Sequence, residues 1–319
     1  MKTKFKSILI IVMLLFILFN ILSNSKDTID TVLFGINIWM YNIFPSLFPF
    51  FILSDLLINY GFVEFISELF KRFMRVFNLS GNSSFVLFGS MISGVPSGAK
   101  YTKQLLEENL ISIEDANHLI MFTHYANPLF IIGTIGTILL NNVNCGYIIL
   151  FSHIIGGLCT GLIFRRKNTI YLEKASLNKA IDLMNKKRIS NKDNFITILS
   201  NSINNTLHIL FLLLGTIIIF LVFSNFLNTF SVNNNILIII KGFLEMTQGI
   251  KYISISNYSI IIKLIFITLF ISFGGLSVHL QVSSIINDTK IKYKNFLIAR
   301  IVHSFISIIL VYIIYYLFY

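Results

Sequence analysis

Ser93-Gly94-Val95-Pro96-Ser97-Gly98-Ala99-Lys100 interrupts an apolar run that begins near Ser84 and resumes from Tyr101 to Leu106. Two glycines, a proline, hydroxyls and a lysine are poor material for a helix that crosses a bilayer. In hydrocarbon every backbone N–H and C=O must be paired, so broken backbone persists only where protein or a wet cavity surrounds it. An ammonium near the bilayer centre costs about 2.5–3.5 kcal/mol on insertion scales and marks a functional or paired group. The stretch therefore predicts the tip of a re-entrant hairpin at a ligand site.

The whole chain supports a membrane setting. Of its 319 residues 55% are hydrophobic and only 12% charged, about half the usual charged share of a soluble domain. Mean hydropathy is +0.79. The net charge of +11 reads as topology information, because Lys and Arg gather on the cytoplasmic side of membrane proteins. Nucleic acid is not an expected partner. Lys2, Lys4 and Lys6 followed by an apolar run resemble a signal peptide, but Ser23-Asn24-Ser25 is no small-residue cleavage site. The prediction is an uncleaved first span with a cytoplasmic N-terminus.

Four units follow: residues 1–30, a first span and external turn; 31–164, a first repeat with a connecting span; 165–194, a basic cytoplasmic linker; and 195–319, a second, inverted repeat. All four prolines (Pro45, Pro49, Pro96, Pro128) lie in apolar context, which predicts deliberately broken helices. Residues 62–77 place Phe62, Phe65, Ile66, Leu69, Phe70, Phe73 and Phe77 opposite Glu64, Glu68, Lys71, Arg72 and Arg75, the pattern of a helix on the cytoplasmic surface. The linker holds Arg165, Arg166, Lys167, Lys174, Lys179, Lys186, Lys187, Arg188 and Lys192 against Glu173, Asp182 and Asp193. In the second half, 236–253 reads as another surface helix. Residues 259–287 read as a second hairpin whose tip is Gly274-Gly275-Leu276-Ser277-Val278-His279-Leu280-Gln281.

Gly94 and Lys100 align with Gly275 and Gln281 at one constant offset. The expected fold is all-α, an inverted repeat of spans, surface helices and two re-entrant hairpins. Such repeats put the substrate near the midplane, between paired broken elements. One set of charges disagrees. Lys290, Lys292, Lys294 and Arg300 fall outside in this scheme, so either the charge rule is overridden or one hairpin spans fully.

Candidate solute-binding residues are Ser93, Gly94, Pro96, Ser97, Lys100, Asn127, Glu245, Thr247, Gly274, Gly275, Ser277, His279 and Gln281. Ser93, Ser97 and freed N–H groups at the first tip offer donors, while Lys100 offers charge to an anion, unless it only marks the cytoplasmic mouth. Asn127-Pro128 frees a carbonyl, with an amide that serves either a ligand or helix packing. Glu245 is a ligand or coupling group, or an idle charge on a surface helix. His279 reads equally as proton carrier, ligand contact or hydrogen-bonded filler. Ser97 to Lys100 fits the Ser-x-x-Lys pattern of penicillin-binding enzymes, but the companion Ser-Asp-Asn and Lys-Thr-Gly elements are missing. No enzyme is expected, nor an ATP-driven pump, since no phosphate-binding loop is present. His118, His124, His153, His208 and His303 show no metal-ligand spacing, so no metal site is predicted. Cys145 and Cys159 read as structural filler.

The stretches Phe44-Pro45-Ser46-Leu47-Phe48-Pro49-Phe50, Ser93 to Lys100, Asn127-Pro128-Leu129-Phe130, Leu244-Glu245-Met246-Thr247 with Gly249, and Gly274 to His279 with Gln281 resemble the sporulation integral membrane proteins of the YlbJ/SpoVV type. Those proteins belong to the nucleoside-recognition "Gate" group. Val95 stands where that family usually carries an aromatic residue, and the chain is shorter than typical members. The resemblance implies a fold like the concentrative nucleoside transporters and transport of dipicolinic acid across the outer forespore membrane. Dipicolinate is a small aromatic dianion, suited to a cationic, donor-rich cavity. A nucleoside or nucleobase carrier and a membrane assembly factor are the alternatives. The expected partners are a small anionic solute and the bilayer, with a second copy of the chain left open. No cofactor is expected, and the coupling ion, proton or sodium, is undetermined.

Overall fold

The computed structural model describes residues 2–165, 176–229 and 234–318, so Arg166, Lys167, Glu173 and Lys174 lie outside the described residues. Among the described residues every regular element is helical. α1 (Lys2–Ser23) turns at Asn24 into α2 (Ser25–Ile38). A wide π-type turn, Trp39–Ile43, leads into α3 (Phe44–Asn59). Pro45 explains the widening, because its missing N–H removes a rung from the helical ladder just where the chain loosens. Gly61, at φ +83°, ends this long helix and starts α4 (Phe62–Met74).

Next come α5 (Ser83–Ser93), α6 (Ser97–Glu107) and α7 (Ile113–Phe122). The chain is non-helical at 123–127 and resumes as a π-type helix, Phe130–Leu139. α8 (Val143–Ile163), α9 (Leu177–Ser190) and α10 (Phe195–Phe226) follow, then α11 (Asn234–Leu244), α12 (Met246–Ile255), α13 (Ile260–Phe273), α14 (Gly275–Ile286) and α15 (Tyr293–Phe318). Among the described residues five helical stretches are long and apolar enough to cross a membrane: Ser25–Asn59, Val143–Ile163, Phe195–Thr229, Ile260–Ile286 and Tyr293–Leu317.

Two pairs of short helices fold back on themselves. α5 and α6 are antiparallel, with Gly89 against the Tyr101 ring and Phe85 edge-on to it at 5.3 Å. α11 and α12 do the same. Gly242 and Gly249 meet backbone to backbone, and any Cβ on Gly249 would overlap Gly242. This corrects two expectations. Residues 236–253 are not one surface helix, because the chain reverses at Glu245. Residues 259–287 are not a hairpin, because α13 and α14 continue in one 27-residue stretch, Ile260–Ile286, broken at Gly274. Both halves therefore run helix pair, broken helix, long helix.

One end of the molecule is knitted together by polar contacts. Lys103 bonds both carboxylate oxygens of Asp288 at 2.7 Å, Lys187 bonds Glu108 at 3.0 Å, and the Lys292 N–H donates to Asn117. Lys290, Lys292 and Lys294 thus share an end with α4 and α9, and the stretch before them, 260–286, is long and apolar enough to cross a membrane. Arg300 is not at either end but buried in α15. α4 also departs from expectation. Glu68 and Lys71, 2.5 Å apart, are buried rather than solvated. α9 covers them, and the Ser176 N–H donates to Glu68.

Candidate functional site: a cavity between helix breaks

The tip between α5 and α6 is tight for local reasons. Gly94 sits at φ +88°, the Val95–Pro96 bond is cis, and Ser97 Oγ donates to the Gly94 carbonyl. Gly94 lies against the Asn127 backbone, and Gly98 lies so close to the Thr123 carbonyl that a Cβ there would overlap it. Only glycine permits this approach between the tip and the break of the next helix. Asn127 fastens the two. Its Nδ2 donates to the Ser93 carbonyl at 3.2 Å, and its Oδ1 accepts from the Leu129 N–H at 2.8 Å. The side chain thus serves the end of α5 and the restart of the broken helix at once, an N-cap with a second task.

The second reversal is built around Glu245. In extended conformation, it N-caps α12 by accepting from the Thr247 N–H at 3.0 Å and from Thr247 Oγ1 at 2.8 Å. Ser277 Oγ donates to its other carboxylate oxygen. Gly275, at φ +66°, brings the start of α14 beside the Met246 N–H. The α11–α12 turn and the α13–α14 break are thereby locked to each other.

A cavity of about 230 Å³ lies between these parts. Its polar wall carries Asn42, Ser46, Ser93, Asn127, Thr134, Glu245, Thr247, Ser277 and Gln281, and its apolar wall includes Val95, Phe130, Leu213, Ile217 and Val278. Tyr41 stands at the wall beside the π-type turn. Gln281 is oriented by donating to Thr216 Oγ1 of α10 at 3.0 Å. Six of the predicted residues therefore converge: Ser93, Asn127, Glu245, Thr247, Ser277 and Gln281. Gly94, Pro96, Ser97, Gly274 and Gly275 shape the turns without lining the cavity.

Lys100 and His279 are elsewhere. Lys100 Nζ bonds Asp55 Oδ1 at 2.8 Å and stands 4.4 Å over the Phe51 ring. It faces a second cavity of about 440 Å³ with Lys103, Gln104, Glu107, Asn205, His208 and Ser284, toward the α9 end. His279 Nε2 donates to the Phe273 carbonyl at 3.1 Å, and its Nδ1 accepts from Tyr293 at 2.8 Å. Both ring nitrogens have partners. Among the described residues Glu245 is the one acidic or basic side chain on the first cavity, and no cluster of His, Cys, Asp and Glu fit to hold a metal is found.

Asp55 is the residue that sequence reasoning missed. Its signal is a lone carboxylate in the apolar run Phe44–Ile58, costly in hydrocarbon without a cation.

The Gate family, described as nucleoside recognition, matches residues 40–142, from the π-type turn to the start of α8. The sporulation integral membrane protein YlbJ of Bacillus subtilis (strain 168) is 32% identical over 330 aligned residues, which cover 95% of this chain and 81% of that protein. No solved structure matches.

Proposed function

This chain belongs to the family of the sporulation integral membrane protein YlbJ and carries a Gate domain; from that premise we propose that it is a secondary transporter of a small planar solute. The observation that carries the reading is the first cavity, where both helix reversals and both broken helices meet. Discontinuous helices aim unpaired backbone dipoles at a solute, and their usual place is a binding site near the midplane. In this reading α5–α6 and α11–α12 are re-entrant hairpins entering from opposite faces. The two halves are inverted repeats, as in concentrative nucleoside transporters. The α9 end is cytoplasmic, in keeping with its lysines and arginines, and the N-terminus lies on that side. The chain performs no covalent chemistry.

Dipicolinate is the first solute to test, moved across the outer forespore membrane, as the resemblance to the sporulation proteins implies. A second reading, a nucleoside or nucleobase, is favoured by one specific observation: among the described residues no lysine, arginine or histidine lines the cavity, whereas Glu245 does. Two like charges 4 Å apart repel by about 4 kcal/mol at an effective dielectric constant of 20. A dianion therefore needs protons or sodium to travel with it, while a neutral base needs only donors and acceptors. Proteoliposomes offered labelled dipicolinate and labelled uridine separate the two. Dipicolinate uptake establishes the first reading and uridine uptake the second. Uptake of neither, together with normal spore dipicolinate in a deletion strain lacking any redundant carrier, returns the chain to the assembly-factor reading.

A further inference from the structure

Arg300 lies about two turns into α15 and is 2% exposed. Among the described residues its hydrogen-bond partners are carbonyl oxygens, not carboxylates. Nη1 donates to His124 at 3.0 Å and to Ser272 at 3.4 Å, and Nη2 donates to Met121 at 3.0 Å. Met121 and His124 flank the end of α7, and Ser272 is next to the end of α13. Those are carbonyls that a terminating helix leaves without internal partners. Each helix also turns the negative end of its dipole toward the guanidinium. Two helix ends thus take the place of a counter-ion, and one planar fork holds both.

A second brace repeats the connection. The Ala126 N–H donates to His153 Nε2 at 3.0 Å, so the proton of the neutral ring sits on Nδ1, which donates to Ser272 Oγ at 2.9 Å. His303 Nε2 then donates to the His153 carbonyl at 2.8 Å, with the two rings stacked 4.7 Å apart. α8 and α15 therefore carry side chains that each touch both breaks.

We infer that Arg300 is a positioning residue that ties the end of α7 to the end of α13 and so sets the spacing of Asn127 and Ser277 across the cavity. Asn127 follows His124 by three residues and Ser277 follows Ser272 by five, so displacement of either helix end is passed on within about one turn. Lysine cannot imitate the fork fully, but its ammonium can reach one set of carbonyls. Methionine fills the space and leaves all of them unpaired.

The inference rests on the cavity being the solute site, and its test keeps the two apart. Nitroxides are placed at Glu114 of α7 and Ile262 of α13, both exposed, in the full chain in lipid nanodiscs. Their distance distribution is compared among native Arg300, Arg300→Lys and Arg300→Met, and each protein is titrated with dipicolinate and with uridine. The expected result is one narrow distance for the native chain, modest broadening for Arg300→Lys, and a broad or shifted distribution for Arg300→Met. Affinity for whichever solute binds falls tenfold or more in Arg300→Met and about threefold in Arg300→Lys. An unchanged distance in monodisperse Arg300→Met overturns the inference, whatever happens to affinity. Failure of the native chain to bind either solute counts against the transport reading and leaves the distance test intact.

Discussion

Lys100 bonds Asp55 at 2.8 Å on the side of the α5–α6 tip away from the cavity that Ser93 lines. The lysine that marks the motif thus clasps α6 to α3, and the hydroxyl and amide groups seven and more residues away line the first cavity. Both partners are more than nine-tenths buried, so removing one leaves the other charged in a poor solvent. Lys100→Met or Asp55→Leu alone should each cost about 3–5 kcal/mol, and the double replacement much less. Denaturation in detergent of the two single variants and the double variant measures this. Additive losses would contradict the pairing.

Glu245 separates fold from selectivity. Glu245→Ala removes the cap of α12 and leaves the buried Ser277 hydroxyl without its acceptor, a combined loss of roughly 2–4 kcal/mol. Glu245→Gln keeps the cap through its amide oxygen and reverses the Ser277 contact, the amide N–H donating to Ser277 Oγ, and should stay within about 1 kcal/mol of native stability. In binding titrations the glutamine variant is expected to gain affinity for dipicolinate, since a like charge is gone. Equal affinities for dipicolinate in the native and glutamine proteins would mean that the carboxylate does not face the solute.

Close backbone approach makes Gly98 and Gly249 intolerant of a methyl group. A Cβ at Gly98 overlaps the Thr123 carbonyl, and at Gly249 it overlaps Gly242. Alanine at either position should cost about 1–3 kcal/mol through displaced helices. Gly215→Ala, where a Cβ meets nothing within 4 Å, is the control and should be neutral or slightly stabilising. Thermal unfolding of the three variants in one detergent decides the matter.

The course of 260–286 has a direct consequence for topology. Cysteines placed at Lys186 and Lys290, both exposed, should react with an impermeant maleimide from the same side of the membrane. A cysteine at Asn141, at the opposite end, should react only from the other side. Labelling of Lys290→Cys together with Asn141→Cys restores 259–287 as a hairpin.

Asp288 supplies a pH test at the same end. Its hydrogen bond with Lys103 holds the carboxyl below the ordinary carboxylate range. A folded-state value below the unfolded one gives stability that is full above the unfolded value, about 3.9, and is lost as pH falls through the folded one. The difference in stability between the native chain and Asp288→Asn should therefore shrink on acidification below about pH 4. A difference that grows there is the contrary result.

Much of the site was legible because backbone breaks are local chemistry. Gly94 with Pro96, Asn127 with Pro128, and Gly274 with Gly275 announce loosened helix from their own residue types. The partners of buried charges were not legible. Lys100 and Asp55 are 45 residues apart, and Arg300 reaches carbonyls 176 and 179 residues away. Nothing in the neighbouring sequence encodes such distances.

The membrane class, the basic end and the places where helices break are written locally, since composition and glycine or proline chemistry act residue by residue. Tertiary structure alone decided which breaks reverse the chain. Gly94 and Gly274 share a positive φ, +88° and +94°, but differ in ψ, −176° and −4°, and the helices fold back at the first and run on at the second. A positive φ allows a turn without choosing its outcome. Reversal requires two helices that fit each other, as α5 and α6 do at Gly89 and Tyr101 and α11 and α12 do at Gly242 and Gly249. α13 and α14 pack on different neighbours instead. The stretch that first suggested a site is therefore one of two tips. Its partner is Glu245, and Gly274 begins the helix that faces them both.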